Sequence, residues 1–451
     1  MLQISAGTDT ARSGLPRRSF LQVGALTLAG LTGRNLTAAE LSPTADGQPI
    51  KTSVILLWMA GGPSHMDMYD LKPQATAEVR GPFKSIATNL PGLDVCELMP
   101  RHAAIADKLA VIRSLHHTLA DHDDASHWVQ TGYPLPQARQ RGQQQPCQGA
   151  VVSKLRGPCQ PGVPPYVCVP EDYRSHMGFY QAATYLGSRH NAVNAGGDPL
   201  IGKYRPPEFQ LPTEVNLDRF SSRRELLRTF DDSRRAAESS GALAVMNETQ
   251  QQAFDLIAGR RSREIFDVTR ETDAMRDRYG RHGWGQATLM ARRLVEAGVT
   301  FVTVNLYEKD VDWWDDHYVI EKNLTRRLPI YDQAFSALIE DLQQRGLSER
   351  VLVVACGEFG RAPRVDTHAG RGHWCRAMHA VLSGGGIREG QIIGSTTSNG
   401  GEPADRPLGP GDLLASIYRV LGIDHDTYLP DRQNRPTRLV EHGEPIAELF
   451  A

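Results

Sequence analysis

Four groups of side chains in this chain carry the residue types that bind cations or move protons. Two of them follow apolar, β-branched runs near the C-terminus. Residues 299–305 (VTFVTVN) lead to Asp312, Trp313, Trp314, Asp315, Asp316 and His317. Residues 351–355 (VLVVA) lead to Glu358, Arg361 and Arg364, then Arg371 and His373. Carboxylates and neutral imidazoles one or two positions apart can share one zinc, manganese or iron ion. Arginines suit a two-pronged grip on phosphate, sulfate or carboxylate. The third group is His116, His117, Asp121, His122, Asp123, Asp124 and His127. Within it His122 is the first choice, as metal ligand, nucleophile or general acid/base. The fourth is Ser64, His65, Asp67 and Asp70, after Gly61-Gly62-Pro63, where glycine lets a backbone approach a ligand closely.

Each group also has a plainer explanation. Asp67, Asp70 and the Asp121–Asp124 carboxylates suit turn and helix caps. Residues 312–317 could be an exposed acidic loop, and Glu358 could pair with an arginine purely for structure. Their recurrence at successive strand ends argues for chemistry, because open α/β sheets collect functional groups beyond the carboxyl ends of their strands.

The elements that would position them can be read from periodicity. Residues 54–59 form a continuous apolar run that fits a strand covered on both faces. Helices are predicted near 100–109, 126–130, 285–297, 330–345 and 412–421, with Gly298, Gly346 and Gly422 as stops. Strands are predicted at 109–115, 299–305 and 351–355, with shorter ones at 380–382 and 391–393. Residues 133–170 are rich in Pro, Gln and Gly and are expected to be mostly irregular. Residues 219–279 read as helical without a sustained heptad, a helical insertion at about 219–280. Gly384-Gly385-Gly386 lacks phosphate-loop spacing and reads as a turn. Alternating helices and strands give an α/β three-layer sandwich, a mostly parallel central sheet covered by helices.

Bulk properties narrow the function. At 40% hydrophobic and 23% charged residues the chain is ordinary globular protein, and a formal charge of -2 argues against a nucleic-acid-binding surface. Arg17-Arg18 precede a short apolar stretch and the small residues Thr37-Ala38-Ala39. That order predicts a twin-arginine export signal over 1–39 and a periplasmic or cell-surface location. The stretch is too short and glycine-rich for a membrane span. No CxxC pair occurs, which argues against a zinc knuckle, while Cys147, Cys159 and Cys168 lie close enough in sequence for a bridge in an oxidising compartment.

Gly61-Gly62-Pro63-Ser64-His65-Met66-Asp67, Trp314-Asp315-Asp316-His317, Gly357-Glu358-Phe359-Gly360-Arg361, Gly370-Arg371-Gly372-His373-Trp374 and Gly384-Gly385-Gly386-Ile387 resemble the bacterial domain-of-unknown-function 1501 family. That family is similar to the alkaline phosphatase and sulfatase superfamily. The resemblance implies an alkaline-phosphatase-like domain over about 50–451 and a divalent metal (zinc, manganese, calcium or magnesium) at the strand ends. It also implies hydrolysis of a phosphate or sulfate ester on an anionic small molecule or glycan. Asp67, Asp315, Asp316, His317, Glu358 and His373 would be the metal ligands, with Arg361 or Arg371 holding the anion. Gln130-Thr131-Gly132 resembles the end of the sulfatase nucleophile helix, which places His122 at the nucleophile position. No Cys-x-Pro-x-Arg signature is present, and the superfamily's Asp-His pair appears here as Glu358-Phe359. The rival expectation is a non-catalytic exported protein that binds an anionic ligand or glycan on the same scaffold.

Overall fold

A computed structural model describes residues 52–136, 142–170, 180–195, 264–306 and 314–451. The predicted export signal and most of the predicted insertion, 219–263, lie outside these residues. The middle layer is an eight-stranded sheet. Its strands are β1 (Ser53–Trp58), β2 (Ala110–Leu115), β3 (Tyr166–Val169), β4 (Val193–Asn194), β5 (Phe301–Asn305), β6 (Val351–Cys356), β7 (Met378–Gly384) and β8 (Gln391–Ile393). In space they run β8-β2-β7-β6-β1-β5-β3-β4. β1 is parallel to β5 and β6, β3 to β4 and β5, and β8 to β2. β7 is antiparallel to β2 and β6, so it alone points the other way.

Strand alternation supplies the two outer layers. Ile55 and Leu57 point into one core, Val54, Leu56 and Trp58 into the other. The first core is closed by α1 (Pro100–Ile105), α5 (Gly283–Ala297) and α6 (Ile320–Gln344). The second is closed by α2 (His122–Thr131), α3 (Gln148–Leu155) and α7 (Pro410–Val420). A short helix, α4 (Asp273–Tyr279), leads into α5. The result is the three-layer α/β sandwich with a mostly parallel sheet that the sequence predicts.

Two predicted segments hold more than the sequence shows. The described part of 133–170 is mostly irregular, as predicted, but it also holds α3 and the fully buried β3. Pro164, Pro165 and Pro170 bracket β3 and hide a strand of four residues. There Cys147 and Cys168 both turn their thiols to the Tyr166 hydroxyl, at 3.7 and 3.5 Å. The helix predicted to start at 330 begins at Ile320, with Pro329 inside it. Proline normally stops a helix by removing a donor and clashing with the preceding turn. Here the buried Leu324, Arg327 and Leu328 carry the helix through.

His127, on α2, ties the following loop to the domain. Its Nδ1 donates to the Tyr133 carbonyl at 2.7 Å, and its Nε2 accepts from the Gln144 amide at 3.1 Å. Both nitrogens are thereby committed to the neutral ring, and burial pulls the pKa down to about 4. The unfolded chain protonates this ring near pH 6.5, so native stability falls as pH drops below that value and levels off below about 4. We expect a loss on the order of 3 kcal/mol from this group across that window. Denaturant unfolding at pH 7 and pH 4.5 measures it, and His127→Gln should show a smaller difference than the parent; an equal difference contradicts the assignment.

Candidate metal centre

β1, β2, β5 and β6 point the same way, so the loops after Trp58, Leu115, Asn305 and Cys356 open at one edge of the sheet. Gly61 turns the chain after β1 at φ +108, and its amide donates to Glu358 Oε1 at 2.8 Å. A Cβ on Gly61 would lie 2.6 Å from the Asp315 amide, so only glycine lets the Asp315 segment pack here. The Trp314 amide closes the contact on the Ala60 carbonyl at 3.0 Å.

Glu358 sits one residue past the end of β6 and its loop glycine, and is 1% exposed. Its Oε1 also accepts from His122 Nδ1 at 2.6 Å, while Oε2 is buried without a hydrogen-bond partner among the described residues. His117 fixes the Glu358 backbone: Nε2 donates to the carbonyl at 2.7 Å, and Nδ1 accepts from the Leu119 amide at 3.1 Å. Burial pulls the His117 pKa down to about 4, which keeps that arrangement neutral.

His122 is the first residue of α2, placed there by the Asp121 cap, whose carboxylate accepts from the Asp123 amide. Its Nε2 lies 3.4 Å from Asp315 Oδ2. Burial works against its charge, but the facing Asp315 and Glu358 carboxylates, which accept from the ring, outweigh burial and raise the pKa to about 9. The ring is therefore an imidazolium at neutral pH, clamped between two carboxylates.

Asp315 is the meeting point. Its Oδ1 lies 2.5 Å from Arg361 Nη2, 3.1 Å from His317 Nε2 and 3.2 Å from His373 Nε2. Burial would raise its pKa, yet His122, His373 and Arg361 hold the carboxyl well below the usual carboxylate range. His373 Nδ1 donates to the Ala120 carbonyl at 2.7 Å, which leaves the Nε2 lone pair facing the cluster. His317 Nε2 stands 2.8 Å from His373 Nε2. Atoms of His122, Asp315 and His373 lie within 4.8 Å of one another, the spacing of a cation site; with His122 protonated, Asp315, His317 and His373 are left to offer lone pairs.

Three predicted residues are not brought to this cluster, which corrects the expectation that they face it. Asp316 is fully buried and accepts from Arg327 at 2.7 and 3.2 Å and from Asn323 at 3.1 Å. Asp67 accepts from Ser64 Oγ at 2.5 Å and from Arg371 at 2.7 and 3.1 Å. Arg371 is fully buried and also donates to the Val79, Ala362 and Pro363 carbonyls, so its guanidinium has no donor left for an anion. Arg361 does reach the cluster, but it too is fully buried and donates to Asp315 and to the Gly61, Gly62 and Arg371 carbonyls. It orients a carboxylate and presents nothing to solvent. Sequence reasoning missed Asn323 and Arg327 because it began the helix after Pro329. The Ala120 carbonyl, a backbone group, had no sequence signal.

The Gly360–Arg361 and His373–Trp374 strands form a small antiparallel ribbon beside the cluster. Successive residues on a strand point to opposite faces. His373 faces the donors, and Trp374 faces a cleft of about 410 Å³. That cleft is not lined by His122 or Asp315, so converging donors locate the site better than concavity does.

The chain matches the family described as protein of unknown function (DUF1501) over residues 51–450. It belongs to that family. No curated protein matches. Solved structures similar to this DUF1501 chain include a lipoteichoic acid synthase from Listeria monocytogenes, at 10% identity over 83% of this chain and 72% of that one, with a TM-score of 0.36. A phosphonate monoester hydrolase of Agrobacterium radiobacter is 11% identical over 88% and 77%, TM-score 0.37. The zinc complex of the C-terminal periplasmic domain of EcEptC from Escherichia coli is 12% identical over 88% and 90%, TM-score 0.35. At this level of similarity the fold class rests on the sheet described above, not on these neighbours.

Gly61 and Gly346 both have positive φ, but only Gly61 has no room for a Cβ. We expect Gly346→Ala to cost about 1 kcal/mol and Gly61→Ala at least about 3 kcal/mol, since a backbone clash adds to the left-handed conformation. Thermal unfolding of the two variants measures the gap, and equal losses would contradict the packing of Asp315 on this turn.

Proposed function

We propose that the cluster binds one divalent cation and hydrolyses a phosphate or sulfate ester. The observation that carries this reading is the triangle of His317 Nε2, His373 Nε2 and Asp315 Oδ1, with edges of 2.8, 3.1 and 3.2 Å. Adjacent ligands of an octahedral ion with arms of ~2.1 Å lie roughly 3.0 Å apart. The donor set fits: two imidazoles and a carboxylate on one face suit manganese, iron or zinc better than calcium or magnesium, which prefer all-oxygen sites. Glu358 Oε2, on the carboxylate that holds His122, is buried without a hydrogen-bond partner among the described residues.

A cation held there supplies Lewis acidity toward a phosphoryl or sulfuryl oxygen. In the hydrolysis water would add to the phosphorus or sulfur and lose a proton to solvent as the ester bond breaks, with His122 as general acid giving its Nε2 proton to the leaving oxygen. Glu358 is its positioning residue: the 2.6 Å bond at Nδ1 fixes the ring and supports its charge. Arg361 holds Asp315 in place. Arg371 has no assigned role in binding, since its donors are used inside the protein. The substrate we propose is an anionic small molecule or glycan ester. The twin-arginine run at Arg17-Arg18 supports export; among the described residues no helix is long and apolar enough to cross a membrane.

On either reading, hydrolysis or non-catalytic binding, the anion would be held by the cation, because Arg371 spends its donors inside the protein and Arg361 is fully buried. The two readings part in a single assay. With manganese or zinc added, the parent should turn over p-nitrophenyl phosphate or p-nitrophenyl sulfate. His122→Ala should lose about 10²–10⁴-fold in kcat. A parent that holds metal and phosphate but turns over neither ester leaves the binding reading in place and ends the hydrolytic one.

A further inference from the structure

Tyr318 directly follows His317 and is 63% exposed, and Val319 beside it is 46% exposed. Exposure of single apolar side chains is ordinary by itself; here it is the backbone holding them that is unusual. Val319 is held at φ 42 and ψ 48, the left-handed region that a β-branched residue strongly avoids. Ala369, on the facing segment, has φ 55. Such conformations persist only where the surroundings impose them, and they gather at functional sites.

The surroundings that impose them are visible. The Val319 amide donates to the His368 carbonyl at 3.1 Å, the Ile320 amide to the Ala369 carbonyl at 2.8 Å, and the Arg371 amide to the Asp316 carbonyl at 2.9 Å. A Cβ on Gly370 would lie 2.0 Å from the His317 carbonyl, so the two segments are pressed together just behind His317. This seam fixes His317 on one side and turns Tyr318 outward on the other. The Tyr318 ring stands 6.5 Å from the His317 ring and packs edge-on against the exposed His368 ring at 5.3 Å. The Tyr318 ring thus lies next to the His317 ring, on a strained backbone tied by the seam to the facing segment.

We infer that Tyr318 is a specificity-determining platform for the organic part of the ester, so the preferred substrate carries its phosphate or sulfate on a ring. A ring offers a flat face that stacks on an aromatic side chain, which a short alkyl group does not. His368 braces the platform from the edge. The inference rests on the ester-binding reading above and adds the ring to it. An aryl ring and a sugar ring share the required face.

Isothermal titration of the manganese-loaded full chain separates the possibilities, with inorganic phosphate, methyl phosphate, phenyl phosphate and glucose 1-phosphate as probes. At least one ring ester should bind about tenfold tighter than methyl phosphate. Tyr318→Phe should keep that preference, because the ring face and not the hydroxyl provides it. Tyr318→Ala should abolish it while manganese affinity and inorganic phosphate affinity stay as in the parent, which also shows that the variant folds. The ring ester that gains identifies aryl or sugar as the source. No ring preference, or a preference that survives Tyr318→Ala, overturns the platform while inorganic phosphate binding leaves the metal site standing. Failure of all four probes to bind overturns both.

Discussion

One half-buried carboxylate gathers the candidate site. Asp315 faces three imidazoles and a guanidinium drawn from four separate stretches of sequence, and it can do so only as an anion. Removing its charge would leave the fully buried Arg361 short of its compensating partner and His122 short of one of its two carboxylates. Breaking a buried pair on one side is far more costly than never having built it. The tight turn at Gly61, the Arg361 guanidinium and the Ala60–Trp314 contact all keep that single carboxylate at the mouth of the sheet.

The sheet makes this convergence possible. Parallel strands deliver their carboxyl ends to one edge. β1, β5 and β6 lie side by side, which places Gly61, Asp315 and Glu358 next to one another although nearly three hundred residues separate the first from the last. β2 lies one strand further, beyond the antiparallel β7, and its loop carries His117 and His122 back over Glu358. Two buried ion pairs, Asp67 with Arg371 and Asp316 with Arg327, then stiffen the loops from beneath. Their worth is in specifying one loop arrangement, since buried pairs add little net stability over apolar packing.

The strand ends were legible because β1, β5 and β6 are β-branched and buried on both faces, and such runs stand out in any sequence. Asp315, His317, Glu358 and His373 could be named as candidate donors because they follow β5 and β6, and His122 because it follows β2. Which of two adjacent acids faces the site was not legible: Asp315 and Asp316 differ only by a half-turn of backbone, and Arg327 claims one of them. Arg371 looked like an anion grip because a guanidinium suits phosphate as well as it suits Asp67. The choice depends on burial, which comes from Val79, Ala362 and Pro363, none of which is conspicuous in the chain. The exposure of Tyr318 had no sequence signal either: it precedes a left-handed Val319, and valine is the last residue from which such a conformation would be predicted.

The central claim is that these donors hold one cation together. Titration of the purified chain with Mn(II), followed by electron paramagnetic resonance, tests it most directly. The account predicts one bound equivalent in the parent and at least a tenfold loss of affinity in both His373→Ala and Asp315→Asn. No bound equivalent in a folded parent, or unchanged binding in both variants, would contradict it.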